Sequence, residues 1–231
     1  MKEGHIMHIE PGVVDAAKMG FAYATAAGAG AYTIKLAVTD LAKSNIAALA
    51  IRTVFAAIGT FIFFEILPHF AVGISEVHFI LGTTLLLILG AAPAAMGLAL
   101  GLLLQGMFFT PSDMPMYFVN VTTLLVPLFV MQALAKRIIP EGKAFVDLDY
   151  ADVLKLSATF QAGVVAWVAF WAFYGQGVSA ETFSLVTTFG AAYMLVVIIE
   201  PVADLIVLAA AKSLRGKTPA SLVTPRLYNA A

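Results

Sequence analysis

The residues from Val77 to Phe109 include no aspartate, glutamate, lysine or arginine, and this uncharged run constrains the fold more than any other feature. A single helix of that length would measure about 50 Å, whereas the hydrocarbon core of a bilayer is about 30 Å thick. The sequence Gly90-Ala91-Ala92-Pro93 is a break signal near its middle, and Pro93 suits a first helical position. We therefore predict two short membrane spans here.

The composition extends this prediction to the whole chain. Hydrophobic residues make up 61% and charged residues 12%, whereas a soluble domain carries about 25% charged residues. Such a chain needs lipid as its solvent, which excludes a water-soluble enzyme. A net charge of −1 gives no basic surface for nucleic acid, and the lack of cysteine excludes disulfides and thiolate metal sites.

We predict that residues 1–231 form one all-α polytopic membrane domain of about seven transmembrane helices. The predicted spans, numbered one to seven, are 13–35, 46–67, 77–91, 93–109, 117–135, 153–175 and 182–208.

The basic residues predict the orientation of these spans. Ten of the 13 lysines and arginines fall on one side: Lys35, Lys43, Lys136, Arg137, Lys143, Lys155, Lys212, Arg215, Lys217 and Arg226. The exceptions are Lys2, Lys18 and Arg52. The positive-inside rule then places the N-terminus outside and the C-terminus in the cytoplasm. Merging spans three and four would move the basic connection 136–155 outside, which the rule disfavours.

With this orientation, all four histidines lie on the outer side: His5, His8, His69 and His78. Imidazole is the most common protein ligand for nickel, copper and zinc ions. For His5 and His69 we favour ordinary interfacial residues. Gln105 lies among leucines near the outer end of span four and needs a hydrogen-bond partner, because an unpaired amide in hydrocarbon is costly.

Other polar or small residues inside the spans have structural interpretations that we favour. Arg52 could pair with Glu200 or Asp204, and we prefer a structural role over an ion relay. Two stripes of small residues, spaced four positions apart along a helix, suit close helix packing. For each stripe we favour packing within the chain. The stripes are Ala22, Ala26 and Gly30 in span one, and Gly97 and Gly101 in span four.

Four blocks of the sequence carry a family resemblance. They are Met7-His8-Ile9-Glu10-Pro11-Gly12, Ser75-Glu76-Val77-His78-Phe79, Leu103-Leu104-Gln105-Gly106-Met107-Phe108-Phe109 and the segment of Asn120. In this order they resemble the substrate-binding membrane subunit of cobalt/nickel energy-coupling-factor ABC importers. The resemblance implies a multi-pass protein in a prokaryotic plasma (inner) membrane. The resemblance covers most of the chain from Met7 to about Pro127, and beyond that point it depends mainly on the number of spans.

The resemblance implies a metal site at the outer face. Its ligands would be the amine of Met7, the backbone nitrogen and imidazole of His8, and the imidazole of His78. Square-planar nitrogen ligation favours Ni(II) or Cu(II), and such a site can also hold Co(II). Gln105 and Asn120 would orient the imidazoles through hydrogen bonds. Co(II) or Ni(II) is then the transported ion, and no permanent cofactor is expected.

The sequence departs from the family pattern at its start. Six residues precede Met7, so a chelate that uses the free amine requires a functional chain that begins at Met7. The acidic residues Glu3, Glu10 and Asp15 argue against a signal peptide. If the terminal-amine chelate does not form, the alternative is a site made by the imidazoles of His8 and His78 with His5 or His69. Glu10-Pro11 also replaces the Pro-Asp that is common in the family, without removing a ligand.

The chain is not expected to be an enzyme. Gly216-Lys217-Thr218 resembles the end of a phosphate-binding loop, but Ala211 occupies the position of its first glycine. ATP hydrolysis would therefore belong to partner subunits. The resemblance implies a transmembrane coupling subunit and ATP-binding subunits, and it allows a small accessory membrane subunit. The lipid bilayer is the remaining partner.

Two other functions stay open at this point. One is an ion-coupled secondary transporter of a divalent metal that acts without ATPase partners and uses the acidic residues of spans two and seven. The other is a membrane metalloenzyme, which we rank last because the outer face offers only Glu76 and Asp113 beside its histidines. The choice between cobalt and nickel cannot be made from the residue types, because both ions suit nitrogen donors.

Overall fold

The computed structural model describes residues 8–9 and 11–229. This part of the chain is almost entirely helical and has one two-stranded antiparallel hairpin, with β1 at Phe70–Val72 and β2 at Ser75–Val77. The helices are α1 Met19–Leu41, α2 Ile46–Phe61, α3 Gly82–Leu89, α4 Ala91–Phe108, α5 Tyr117–Ile138, α6 Tyr150–Gln176 and α7 Ala180–Ser213. A π-helical stretch, Ile62–Ile66, continues α2. Short 3₁₀ turns occur at Pro111–Met116, Phe145–Asp147, Ala220–Leu222 and Pro225–Leu227.

Five helical segments in the described residues are long and apolar enough to cross a membrane. They are Ile46–Ile66, Ala91–Phe108, Pro111–Ile138, Tyr150–Gln176 and Ala180–Ser213. The chain is therefore a polytopic helical membrane protein. Seven crossings and the orientation of the termini remain predictions.

Local sequence signals set several helix boundaries. The Asn45 side chain accepts a hydrogen bond from the Ala48 N–H and begins α2, and Ser179 begins α7 in the same way. Gly90, with a φ of 97°, separates α3 from α4 at the predicted break. Because α4 begins at Ala91, Pro93 occupies its third position rather than its first.

The third predicted span is helical only in part. The chain is extended through β2 and the residues after it, and α3 has 8 residues, which measure about 12 Å and cannot cross a bilayer alone. The chain from Gly73 to α3 instead runs alongside α7: Gly73 packs on Leu185, and the backbone N–H of Thr84 bonds to Asp204. Irregular backbone at membrane depth is tolerated where protein surrounds it, and most of this segment is buried.

The first predicted span also begins later than expected. Helix α1 begins at Met19, and Val13 and Val14 are buried against the last turn of α6 near Gly175. The Lys18 ammonium donates to the Gly175 carbonyl at 2.6 Å. The N-terminal segment therefore folds over the end of the helical bundle, and this path brings His8 into the interior.

The expected ion pair of Arg52 with Glu200 or Asp204 is wrong. The Arg52 guanidinium donates to both carboxylate oxygens of Asp40, at 3.0 and 2.6 Å, and to the Leu89 carbonyl at 2.9 Å. Asp40 can reach Arg52 because it lies in the last turn of α1, directly before the turn into α2. The two carboxylates of α7 bond to the chain around the start of α3 instead.

Small residues allow α2 and α4 to lie side by side. Gly97 faces Ala56, and Gly101 faces Thr60, so closely that an added Cβ atom would overlap each neighbour. The paired residue numbers increase together, so the two helices run parallel. The stripe of span four therefore serves packing within the chain, as expected.

Candidate metal site

Four polar side chains that are distant in the sequence meet at one end of the bundle. His8 precedes α1, His78 follows β2, Gln105 lies in the last turn of α4, and Asn120 lies in the first turn of α5. All four are buried, with at most 7% of each residue exposed. These are the residues that the sequence motifs proposed for the metal and its hydrogen-bonded surroundings.

The two imidazoles face each other through one nitrogen each. Nδ1 of His8 lies 3.1 Å from Nε2 of His78, and the ring planes are 85° apart. Two nitrogen ligands that are each about 2.0–2.1 Å from one ion, at a right angle, stand about 2.9 Å apart. The spacing of the two ring nitrogens therefore suits two neighbouring ligands of a single metal ion.

The other nitrogen of each ring has a protein acceptor, from which we assign the tautomers. His8 Nε2–H donates to Oε1 of Gln105 at 3.0 Å, and His78 Nδ1–H donates to the Phe79 carbonyl at 3.2 Å. A neutral imidazole carries one proton, so both facing nitrogens present lone pairs. Two opposed lone pairs repel each other unless a cation lies between them, so the hydrogen bonds prepare the pair for metal.

Further hydrogen bonds hold this arrangement in place. Nε2 of Gln105 donates to the Glu65 carboxylate at 3.3 Å, which directs the amide oxygen of Gln105 toward His8. The Asn120 amide oxygen accepts from the Ile9 N–H at 3.1 Å and holds the backbone beside His8. His8 itself has a φ of 73°, a left-handed conformation that surrounding contacts must stabilise.

Sequence reasoning did not identify Phe64 as part of the site. Its fully buried ring meets both imidazoles edge to face, with centroids 5.1 Å from His8 and 4.4 Å from His78. Phe64 lies in the π-helical stretch that ends α2, and no local motif marks it. The ring covers one side of the histidine pair and restricts rotation of both imidazoles.

Three acidic side chains lie close together at this end of the bundle. Glu76, only 4% exposed, accepts a hydrogen bond from the His8 backbone N–H, and Asp113 and Glu65 are near it. Burial, then the Asp113 charge, raises the pKa of Glu76 to about 8. Burial lowers the pKa of His8 to about 4, so this imidazole is neutral at pH 7, as a metal ligand must be.

His69, the other candidate ligand within the described residues, contacts groups outside the pair. His69 Nδ1–H donates to the Leu67 carbonyl at 3.0 Å, and its Nε2 is 3.9 Å from Glu76. Met7 and His5 lie outside the described residues. Within the described residues, no group of three histidine or acidic side chains is arranged to hold a metal ion. A complete coordination sphere therefore needs donors beyond these two imidazoles.

Comparisons with known proteins identify the family of this chain. A family model described as the cobalt uptake substrate-specific transmembrane region, CbiM, matches residues 8–218, a range that includes the four clustered residues. Comparisons with curated proteins and with solved structures give no significant match. The family resemblance seen in the sequence is thereby confirmed. The chain belongs to the CbiM family and is a membrane component for cobalt uptake that binds the substrate and works with other transporter subunits.

Proposed function

We propose that this chain captures Co(II) or Ni(II) at the outer membrane face as the substrate-binding component of an ATP-driven energy-coupling-factor importer. The observation that carries the proposal is the pair of facing ring nitrogens of His8 and His78, 3.1 Å apart and buried. The family supports cobalt as a transported ion. Nickel enters the proposal because nitrogen donors suit both ions.

The rest of the coordination sphere is proposed to come from the start of the chain. The amine of Met7, the backbone nitrogen of His8 and its imidazole would form a five-membered and a six-membered chelate ring, and His78 would complete a square plane. This chelate requires a working chain that begins at Met7. Intact-mass measurement of protein purified from membranes tests this requirement, because a mature chain that retains Met1 contradicts the terminal-amine ligand.

The proposed orientation places the histidine pair outside and the basic side chains in the cytoplasm. In support, Lys43, Lys136 and Arg226 line one cavity at the opposite end of the bundle from Gln105 and Asn120. The positive-inside rule assigns that basic end to the cytoplasm. An incoming ion would then reach the histidine pair directly from outside.

We further propose that the exposed side of α1 beside Ala26 and Gly30 contacts the transmembrane coupling subunit. Ala22 is fully buried within the chain, whereas Ala26 and Gly30 line an apolar groove together with Tyr117 and Phe118. The groove offers small residues to a neighbouring helix. ATP-binding subunits, and in some assemblies a small accessory membrane subunit, would complete the importer.

The alternative of an ion-coupled secondary transporter relied on free acidic residues in spans two and seven. Both carboxylates of span seven, Glu200 and Asp204, accept hydrogen bonds from the chain around the start of α3, so they are engaged in structure. Cobalt uptake into liposomes by this chain alone, driven by an ion gradient, would establish the alternative. We expect uptake only after the ATP-binding and coupling subunits are added.

Calorimetric titration of Co(II) and Ni(II) into the purified protein tests the site. Substituting His8→Ala or His78→Ala should abolish high-affinity binding, because each substitution removes one of the two imidazole donors. His69→Ala is the matched control and should change affinity little, since its ring faces Leu67 and Glu76 rather than the pair. Normal binding by His78→Ala protein would refute the assignment.

A further inference from the structure

The peptide group between Phe79 and Ile80 is hydrogen-bonded on both sides. Its carbonyl oxygen accepts from His78 Nδ1–H at 3.2 Å. Its N–H donates to Oε1 of Glu200, which also accepts from the Leu81 N–H at 3.0 Å. One peptide plane therefore connects the ring of His78 to a carboxylate on α7.

The Phe79–Ile80 peptide makes these two hydrogen bonds in a stretch of backbone that is not helical. Leu81 has a φ of 52°, in the left-handed region, and α3 begins only at Gly82. A non-glycine residue in this conformation persists where neighbouring groups hold it. By accepting from two consecutive N–H groups, Glu200 satisfies backbone donors that would otherwise be buried without partners.

Glu200 is itself held in position. Its second oxygen accepts from the Gln161 amide, whose own oxygen accepts from the Tyr193 hydroxyl at 2.8 Å. All three side chains are buried, with at most 1% of any residue exposed. The carboxylate therefore has one orientation, fixed from the side opposite to the peptide.

We propose that Glu200 is a positioning residue for metal capture, which acts on His78 through the Phe79–Ile80 peptide. An N–H that is held by a carboxylate polarises its peptide and makes the carbonyl a better acceptor. The carbonyl then holds the proton on Nδ1 of His78 and leaves the lone pair of Nε2 facing His8. This inference rests on the proposed function for the role of His78 as a ligand.

The reach of the side chain, rather than its charge, is the property to test. In Glu200→Asp protein the carboxylate is withdrawn by about 1.5 Å, one carbon–carbon bond, and cannot reach the peptide. In Glu200→Gln protein an amide oxygen remains at the original distance and can still accept from Ile80 and Leu81. The Gln161 amide then turns its oxygen toward the new NH2 group and donates to the Tyr193 hydroxyl, which can also accept. We therefore expect Glu200→Asp protein to lose the contact with the peptide, and Glu200→Gln protein to keep it.

Two readouts separate positioning from general stability. Nitrogen-15 spectra of histidine-labelled, metal-free protein report which ring nitrogen of His78 carries the proton, with its signals identified by their loss in His78→Ala. Wild type and Glu200→Gln should show the Nδ1–H form, and Glu200→Asp a mixture of both forms. Co(II) affinity, measured by calorimetry, should fall about tenfold in Glu200→Asp, at the lower end of losses for groups that orient metal-bound histidines, and change less than about threefold in Glu200→Gln.

Asp204→Ala is the matched control, because Asp204 bonds to Thr84 and does not contact the Phe79–Ile80 peptide. It should lower the melting temperature and leave the His78 tautomer and Co(II) affinity unchanged. The proposal is overturned if Glu200→Asp keeps the wild-type tautomer, or if Asp204→Ala changes it equally. Because the spectra are recorded without metal, a tautomer change together with normal Co(II) binding by His78→Ala would refute the proposed function and leave the peptide contact intact.

Discussion

Replacing Gln105 by methionine tests whether the hydrogen bond to His8 prepares the imidazole for metal. Methionine approximates the length and shape of glutamine but has no hydrogen-bonding amide, so the packing of α4 is largely conserved. The substitution removes the oxygen that accepts from His8 Nε2–H at 3.0 Å. It also removes the amide that donates to Glu65.

The expected loss of affinity arises because the substitution destabilises the metal-bound protein more than the metal-free protein. In the metal-free variant His8 can take its other tautomer, whereas a metal ion on Nδ1 leaves Nε2–H buried without its acceptor. An unsatisfied buried donor costs about 1–3 kcal/mol. Since about 1.4 kcal/mol corresponds to a factor of ten in affinity, we expect Co(II) binding to weaken about 10- to 100-fold, which is the range measured for groups that orient metal-bound histidines.

Calorimetric titration of Co(II) into wild-type and Gln105→Met protein in the same detergent measures this loss. Gln132→Met is the control, because Gln132 is also a buried carboxamide but bonds to Tyr32 at the other end of the bundle. The control should bind Co(II) like the wild type. Binding by Gln105→Met within about threefold of wild type would mean that the His8–Gln105 bond does not prepare the site, and the tautomer argument would fail.

Two further predictions concern contacts between helices, and thermal unfolding in detergent measures both. Gly97→Ala should destabilise the protein by about 1–3 kcal/mol, because the added Cβ overlaps α2. Gly28→Ala, which meets open space, should be neutral or slightly stabilising, and equal melting temperatures would contradict the packing argument. Arg52→Met should cost about 3–5 kcal/mol by leaving Asp40 without its buried partner. A loss below about 1 kcal/mol would show that this pair contributes little.

The residues of the candidate site were largely predictable, but their arrangement was not. His8, His78, Gln105 and Asn120 stand in the short blocks that carry the family resemblance, so the resemblance selects them. Phe64 is one phenylalanine among 17, and only its contact with both imidazoles distinguishes it. Long-range contacts of this kind leave no local pattern.

The third predicted span shows that long-range contacts also decide part of the fold. Hydropathy predicts a helix over 77–91 because the residues are apolar, but it does not report whether their backbone hydrogen bonds are made within a helix. Here the buried carboxylates Glu200 and Asp204 supply acceptors that let the chain stay extended and begin α3 late. The same acceptors explain why neither residue pairs with Arg52.

The sequence by itself determined that this chain needs lipid, that it breaks at Gly90, and that imidazole and amide groups are available for an ion. These properties follow from composition, backbone preference and side-chain chemistry, which each residue carries with it. Only the tertiary structure decided which nitrogen of each histidine faces the other and which carboxylate supports that choice. The physical reason is that a tautomer depends on the acceptors around the ring. Gln105 of α4 accepts from His8, and the Phe79 carbonyl accepts from His78 while Glu200 of α7 holds the other side of its peptide. Gln105 and Glu200 are far along the chain from the histidines, so no local pattern marks these contacts.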